Sequence, residues 1–577
     1  MSIATRTTLG LNTSRSTSLP HGHTSNPSTS FSKFILNQDV VDIVFQHFGD
    51  IHYSMSNLER WKTRKALALA ARVCRPFSYA ALDHLWRYLD SWLPLLQLLP
   101  SFKQSMYYSY SLCGVVTDDE WAHFDAHARR VRSFSVLWDD VNAKHITPYT
   151  FIRLAQLHPA PIFPALRLLR FSDSENLNSR RLKHIAAGCF LLVSPAIKTL
   201  MIDKFDDDLT EHNEFFDAFF SSFMRGSTNI QDLTVDGCIP HWRTLASFCN
   251  LTKLRFYKRF EQNWLVCLSM DIKSLRSFNN LTSITIEASI TDSYSPGDIQ
   301  TLLHYVPALN SSECLDCLPH LQEIDLVGGV ALLVLVLYHI PSNNLKCISI
   351  LCTERFDRAL SPLWDQFFEQ LSHCQYLRNI MMLNTMIHGS YTVSDFAGII
   401  SQNHLQSLLK LNHLEVLLIK GYIVDNLHEA FITQSASSWS QLQFLALPDS
   451  PLVPEVDSSP QQLGVLSHIA RNYLNLAVLK LSVNAMDLAI PIPSSYHSSS
   501  RLKNLFLSDR KDLRDLTEPQ RQLLARYLYR VFPSLEVVSG VQTEFWEEIN
   551  AMVQAYKADT FSGASIDHHD SITSMST

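Results

Sequence analysis

The sequence predicts an α/β solenoid: a curved parallel sheet of short strands with helices along its outer side, preceded by a small three-helix module. Three observations carry this. A six-residue pattern, apolar-x-x-apolar-x-apolar, recurs from Val131 onward, and the stretches between its copies place apolar residues at helical spacing. Glycine is scarce: 16 residues in a chain of 577, where average usage would give roughly 40. Neither GxGxxG nor GxxxxGKS/T occurs, so nucleotide-binding classes have little support.

Taken in chain order, residues 1–30 are rich in Ser, Thr and Asn and read as a disordered tail. Arg6 and Arg15, with no acid before Asp39, faintly match a transit peptide, but Pro20 and Pro27 oppose the amphipathic helix it needs. Over 31–92 the spacing is helical. Val41, Val44, Phe45 and Phe48 fall on one face of a first helix, with Asn37 placed to cap it and Asp39 in its first turn. Ala66, Leu69, Ala70, Val73 and Phe77 give a second stripe, interrupted by Pro76, and Leu82, Leu85, Trp86 and Leu89 a third. Ile35, Leu36, Val40, Ile43 and Cys74 stay apolar outside these stripes, more than three short helices can cover.

The order ILNQDVVDIVFQHF, LALAARVCRPF and ALDHLW resembles the F-box, whose pattern runs I/L-L-P-x-E, I/V-F-x-x-L, L-V-C-R/K-x-W/F and a closing L-W. Asn37 stands where that family has Pro, and Asp39 where it has Glu. The resemblance implies docking onto the Skp-type adaptor of a cullin–RING ubiquitin ligase, with Ile35, Leu36, Val40, Ile43, Val73, Cys74 and Phe77 as the adaptor-binding residues. An ordinary helical cap for the array that follows is the other reading.

Fourteen repeat units begin at Val131, Leu166, Ile197, Ile230, Leu251, Leu281, Leu321, Leu345, Leu377, Leu414, Leu442, Leu476, Leu502 and Leu535. The last is a frayed copy, LEVVSG, and the mean spacing, about 31 residues, is that of a solenoid. Positions four and six of each unit point inward from a short strand, and positions three and five point out. HNEFFDAFFSSFMRG and LWDQFFEQLSHCQ, between strands, read as helices. The units resemble leucine-rich repeats, whose fuller pattern adds Asn or Cys three residues after position six. Only Cys238 and Asn484 stand there, so the family's side-chain ladder is expected to be mostly absent and the units irregular. TDDEWAHFDAHARRVRSFSV, with Trp121, Phe124, Arg129 and Arg130, resembles the junction in a large fungal group of F-box/leucine-rich-repeat-like proteins. The domain plan is therefore tail 1–30, helical module 31–92, helical linker 93–128, solenoid 129–545, and a helix end with a disordered tail over 546–577.

The resemblance implies a non-catalytic substrate receptor of a Skp–cullin–F-box ubiquitin ligase, cytoplasmic and/or nuclear. A ligase-independent repeat scaffold, with the module as a cap, is the alternative. Positions three and five are polar in units four to eight and far more apolar in units ten to thirteen, where Lys480 and Asn504 stand among Val416, Leu418, Phe444, Ala446, Val478 and Phe506. Leu418, Phe444 and Phe506 are the candidate floor of a target site, with Lys253 and Arg255 meeting acidic groups at the other end. A covering loop such as LPDSPLVPEVDSSP, or packing within irregular units, is the competing explanation.

Signals for chemistry are weak. Cys314, Cys317 and His320 form one CxxC with a nearby His, and Cys347 and Cys352 have the wrong spacing to complete a zinc site. Asp139, Asp140 and Asp206 to Asp208 read as solvated turns. No metal or cofactor is expected. A net charge of -7 gives no excess of cation for a nucleic-acid backbone. The apolar run Val330–Leu337 is too short to span a bilayer, and eleven cysteines fit reduced thiols.

Overall fold

The computed structural model describes residues 38–47, 51, 55–104, 109–137, 146–158, 161–172, 188–205, 213–237, 245, 248–260, 278–290, 318–340, 344–353, 360–384, 399–400, 402–421, 423–424, 429–447, 461–484, 500–508, 513 and 516–561. The chain divides into two compact units, Met1–Tyr88 and Leu89–Thr577.

In the first unit, three helices, α1 (Gln38–His47), α2 (Asn57–Ala70) and α3 (Arg75–Arg87), enclose a small core of Val41, Phe45, Ile51, Leu67, Ala80, Ala81 and Tyr88. Ser56 opens α2 with a capping box: its hydroxyl accepts from the Glu59 N–H while the Glu59 carboxylate accepts from the Ser56 N–H. Pro76 sits in the first turn of α3, where its missing N–H costs nothing, so it starts a helix as well as interrupting a stripe. Four stripe residues expected in the core, Val44, Ala66, Leu69 and Val73, are exposed instead. On α2 the inward face is set by Arg60 and Leu67, seven residues apart, and Arg60 is invisible to an apolar pattern. It is buried because its guanidinium donates to the Tyr88 hydroxyl at 3.1 Å. Asn37 and Phe48 lie outside the described residues.

The second unit opens with Trp92, whose ring lies 5.1–5.5 Å from Phe134, Phe151 and Phe163 and fills the start of the repeat core. Helix α4 (Asp118–Ala128) begins on a second capping box, Thr117 with Glu120. Among the described residues fourteen repeat strands follow: β1 (Ser133–Leu137), β2 (Leu168–Ser172), β3 (Thr199–Phe205), β4 (Asp232–Gly237), β5 (Lys253–Phe260), β6 (Ser283–Ile290), β7 (Glu323–Gly328), β8 (Cys347–Cys352), β9 (Asn379–Asn384), β10 (Val416–Lys420), β11 (Phe444–Leu447), β12 (Val478–Asn484), β13 (Asn504–Ser508) and β14 (Val537–Gly540). Each pairs in parallel with the next, in chain order.

The register aligns all fourteen units on one grid. Position three runs unbroken from Ser133 through Lys253, Phe444 and Val478 to Val537. Position one is buried in every unit, as is position four. Position six is buried from Val136 to Leu507 and is Gly540 in the last unit. The backbone carbonyl at position two accepts from the N–H groups of positions two and three of the following unit at all thirteen junctions, at 2.7–3.1 Å. Thus Thr252 O accepts from Thr282 and Ser283, and Ala477 O from Lys503 and Asn504.

A side-chain ladder exists too, at a different place from the one the repeat family would supply. Asn229, Asn250, Asn280, Asn344 and Asn475, each just before position one, donate through Nδ2 to carbonyls of the preceding unit at Pro195, Thr228, Cys249, Pro319 and Ser440, at 2.6–3.0 Å.

Between strands lie α5 (Pro148–Leu157), α6 (Asn213–Gly226), α7 (Val330–His339), α8 (Ser361–Ser372), α9 (Gln402–Ser407), α10 (Glu429–Ser438), α11 (Gly464–Asn472) and α12 (Glu518–Val531). From α7 onward successive helices pack on one another, and every residue of α7 is buried. No helix among the described residues is long and apolar enough to cross a membrane. The array closes with α13 (Thr543–Phe561), which supplies partners to the last strand's edge. Asn550 accepts from the Val538 N–H at 2.9 Å, and Gln554 donates to the carbonyls of Leu535 and Glu536.

Gly540 shows how tightly this end is closed: a Cβ there would lie 2.2 Å from Leu507 O and 2.2 Å from Trp546 Nε1 of α13. Gly464, opening α11, has nothing within 4 Å of its Cβ position. We expect Gly540→Ala to destabilise the array by about 1–3 kcal/mol, from overpacking. Gly464→Ala should be neutral or stabilising by up to about 1 kcal/mol. Thermal unfolding of the two variants checks the contrast, and equal midpoints would refute it.

Candidate protein-binding surface

Positions three and five alternate with the buried positions, so they share the other face of the sheet. On β2 to β7 this face is densely charged. Arg170 pairs with Asp203 on the neighbouring strand. Asp236, Tyr257 and Glu287 stand side by side in register at position seven. Lys253 is exposed and Arg255 half-buried beside them. Burial pushes the Glu287 carboxyl up, and the charge of Asp236 adds to it. Burial also raises Asp325, offset in part by a hydrogen bond donated by the Thr285 hydroxyl at 3.4 Å; Glu323 raises it further and Arg255 lowers it. The same Arg255 opposes the burial that raises the Tyr257 phenol. Arg170 and Arg255 therefore already face acids of their own chain.

On β10 to β13 the composition inverts. Leu418, Ala446, Lys480 and Phe506 are Cα partners along one row, and Val416, Phe444, Val478 and Asn504 along the next. Ala446 is fully buried, whereas Leu418, Phe444 and Phe506 keep partial exposure. Phe444 and Phe506 are joined through Lys480, whose ammonium lies 5.9 Å from one ring centre and 5.6 Å from the other. Leu418 lies on the strand next to Phe444. Lys253 and Arg255, on β5, are five strands from Leu418, about 24 Å along the sheet. The three apolar candidates thus form one patch and the two cations another. Lys480 belongs to the apolar patch: the repeat alignment alone puts it at position five of unit twelve, and the structure adds the two rings that flank its ammonium.

In the first unit, Val40, Ile43 and Val73 are exposed, the last two at 53% and 68%. Val44, Leu58, Trp61, Leu69 and Tyr79 extend this apolar surface. Cys74, half-buried, precedes α3, and Phe77 turns toward the unit's own core, edge-on to Phe45 at 5.6 Å. Ile35 and Leu36 lie outside the described residues, as do Cys314 and Cys317. No group of three or more His, Cys, Asp or Glu suited to a metal occurs among the described residues.

No protein-family model matches the sequence, and no curated protein does. Among solved structures the chain is similar to the leucine-rich-repeat ectodomain of the plant membrane receptor kinase GASSHO1/SCHENGEN3 from Arabidopsis thaliana, in complex with Casparian strip integrity factor 2. The identity is 10% and the TM-score 0.26, with 72% of this chain and 47% of that chain covered, so the chain spans less than half of that ectodomain's length. The leucine-rich-repeat-like fold rests on this molecule's own register and ladder.

The charged end yields a pH prediction. A carboxyl whose folded pKa lies above its ordinary 3.8 holds its proton more tightly when folded, so ionising it costs stability as pH rises from 3.8 through the folded value. Asp325→Asn keeps an acceptor for Thr285 and removes that cost. Its unfolding midpoint should exceed the parent's at pH 7, and the gap should shrink as pH falls toward 4. A midpoint below the parent's at pH 7 would contradict this.

Proposed function

We propose that this chain is a non-catalytic protein-binding scaffold that serves as the substrate receptor of a Skp–cullin–F-box ubiquitin ligase. In this reading the first unit docks the Skp-type adaptor, the strand face binds a target protein, and the pair works in the cytoplasm or nucleus. The observation that carries it is the apolar surface of the small helical unit. Val40, Ile43 and Val73 occur where the F-box-like sequence pattern would place adaptor contacts, and exposed apolar surface on so small a unit is costly unless a partner covers it. The receptor contributes proximity: holding a target near the conjugating enzyme raises its effective concentration without chemistry of its own. The ligase-independent scaffold keeps the strand face and drops the adaptor.

Co-purification of the full chain with a Skp-type adaptor separates the two. Wild type should form the complex, and Val73→Asp and Ile43→Asp should weaken it at least about tenfold, since each buries a charge in an apolar contact. Both residues are exposed, so the variants should melt like the parent. Absence of a wild-type complex, or one indifferent to both substitutions, would leave only the scaffold reading.

A further inference from the structure

In positions three and five of units eight to thirteen, from Cys347 to Phe506, Lys480 is the one charged residue. It sits on β12 between the Phe444 ring from β11 and the Phe506 ring from β13. Ring faces attract an ammonium through their quadrupoles and ease its loss of water, but they carry no charge to neutralise it. Among the described residues no carboxylate pairs with Lys480. Among the described residues its charge is therefore not neutralised, and Val416, Leu418 and Val478 share its two rows, unlike Arg170, which is paired with Asp203.

A second observation lies on the same two strands. Ser482 and Ser508 are partners in register two residues beyond Lys480 and Phe506, hence on the same face and about 6.6 Å further along. Both are buried, at 3% and 5% exposure, and both hydroxyls lack a hydrogen-bond partner. Unpartnered buried donors beside an unneutralised cation favour an acceptor oxygen bearing negative charge.

We infer that Lys480, seated between Phe444 and Phe506, is the anion-recognising centre of the strand face and takes the carboxylate of an Asp or Glu in a partner polypeptide whose flanking residues are apolar. This deepens the receptor reading and rests on its strand-face half. One ammonium balances one carboxylate. A phosphate group, with close to two charges and three acceptor oxygens, calls for a cluster of cations that these rows do not contain. The apolar floor accommodates the neighbours of the acidic residue, whose burial supplies most of the affinity, while the ion pair fixes register and specificity.

The test is selection of a display library of short random peptides on the immobilised full chain. Wild type should enrich Asp or Glu next to Leu, Ile or Phe. Lys480→Arg should keep that acidic preference and Lys480→Met should lose it. Lys480 has no hydrogen bond to forfeit, so Lys480→Met should melt like the parent. Replacing the acidic residue of the best peptide by its amide should weaken binding to wild type about tenfold or more and leave binding to Lys480→Met unchanged. Enrichment indifferent to charge, or unaltered in Lys480→Met, yet lost in Phe444→Asp, would overturn the role of Lys480 and keep the strand face as a binding surface. Peptides that survive Phe444→Asp, or no enrichment over bare support, would remove both. Tighter binding of a phosphoserine peptide than of the Glu peptide would overturn the carboxylate assignment.

Discussion

Everything in the second unit depends on one backbone interaction repeated thirteen times: the position-two carbonyl that accepts two N–H groups from the following unit. A carbonyl has two lone pairs, and here both are used across the junction. The pairing fixes not only which strands are neighbours but which residue lies beside which. A slip of one residue would turn every position-four and position-six side chain out of the core, so the ladder and the apolar pattern enforce the same register. Spacings between unit starts vary from 21 to 40 residues, and the segments between strands absorb that variation without disturbing the grid. A strand with neighbours on both sides spends all its donors and acceptors on them. The last one needs a substitute, which Asn550 and Gln554 of α13 provide.

Because the ladder uses only backbone, and the core only positions one, four and six, the outward positions are left free to vary. That freedom lets one sheet carry a charged end and an apolar end. Cross-unit side-chain pairs such as Arg378 with Glu415 and Lys503 with Glu536 occupy position two, at the rim, where exposed ion pairs are worth little. The stability of the array and the specificity of its face are thus carried by different residues.

This division also explains what the sequence disclosed. Strand units were legible, each in its true register, because burial at positions one, four and six writes itself into the choice of Leu, Ile, Val and Phe. Helices α6 and α8 were legible because one face is apolar and the other polar. Helix α7 was visible only as an apolar run, since burial all round erases periodicity. The asparagines before position one recur in the sequence, but their partners are carbonyls 22 to 35 residues away, a relation only the fold creates. Lys480 was legible as an outward residue of unit twelve, between the units of Phe444 and Phe506, but the seat of its ammonium between the two rings is a side-chain arrangement that the pattern does not give. In the first unit the stripes misplaced Ala66 and Leu69 because the inward face of α2 is held by Leu67 and a buried arginine, and misplaced Val44 because α1 gives the core only Val41 and Phe45.

That small unit poses the sharpest question about its apolar surface, and helix geometry answers part of it. On α1, Val41 and Phe45 face the core, about 40° apart around the axis, while Ile43 stands about 200° beyond Val41. No rotation of α1 could bury Ile43 together with Val41 and Phe45, so its exposure is not a matter of imperfect packing. Val73, in the turn after the end of α2, is 68% exposed while Leu67 reaches the core. Two exposed apolar residues on separate segments, one of them excluded from the core by helix geometry, lie where a chain choosing for solubility alone would carry polar side chains. The structure shows the exposed apolar surface itself; the receptor proposal gives it an occupant, the adaptor implied by the F-box-like resemblance.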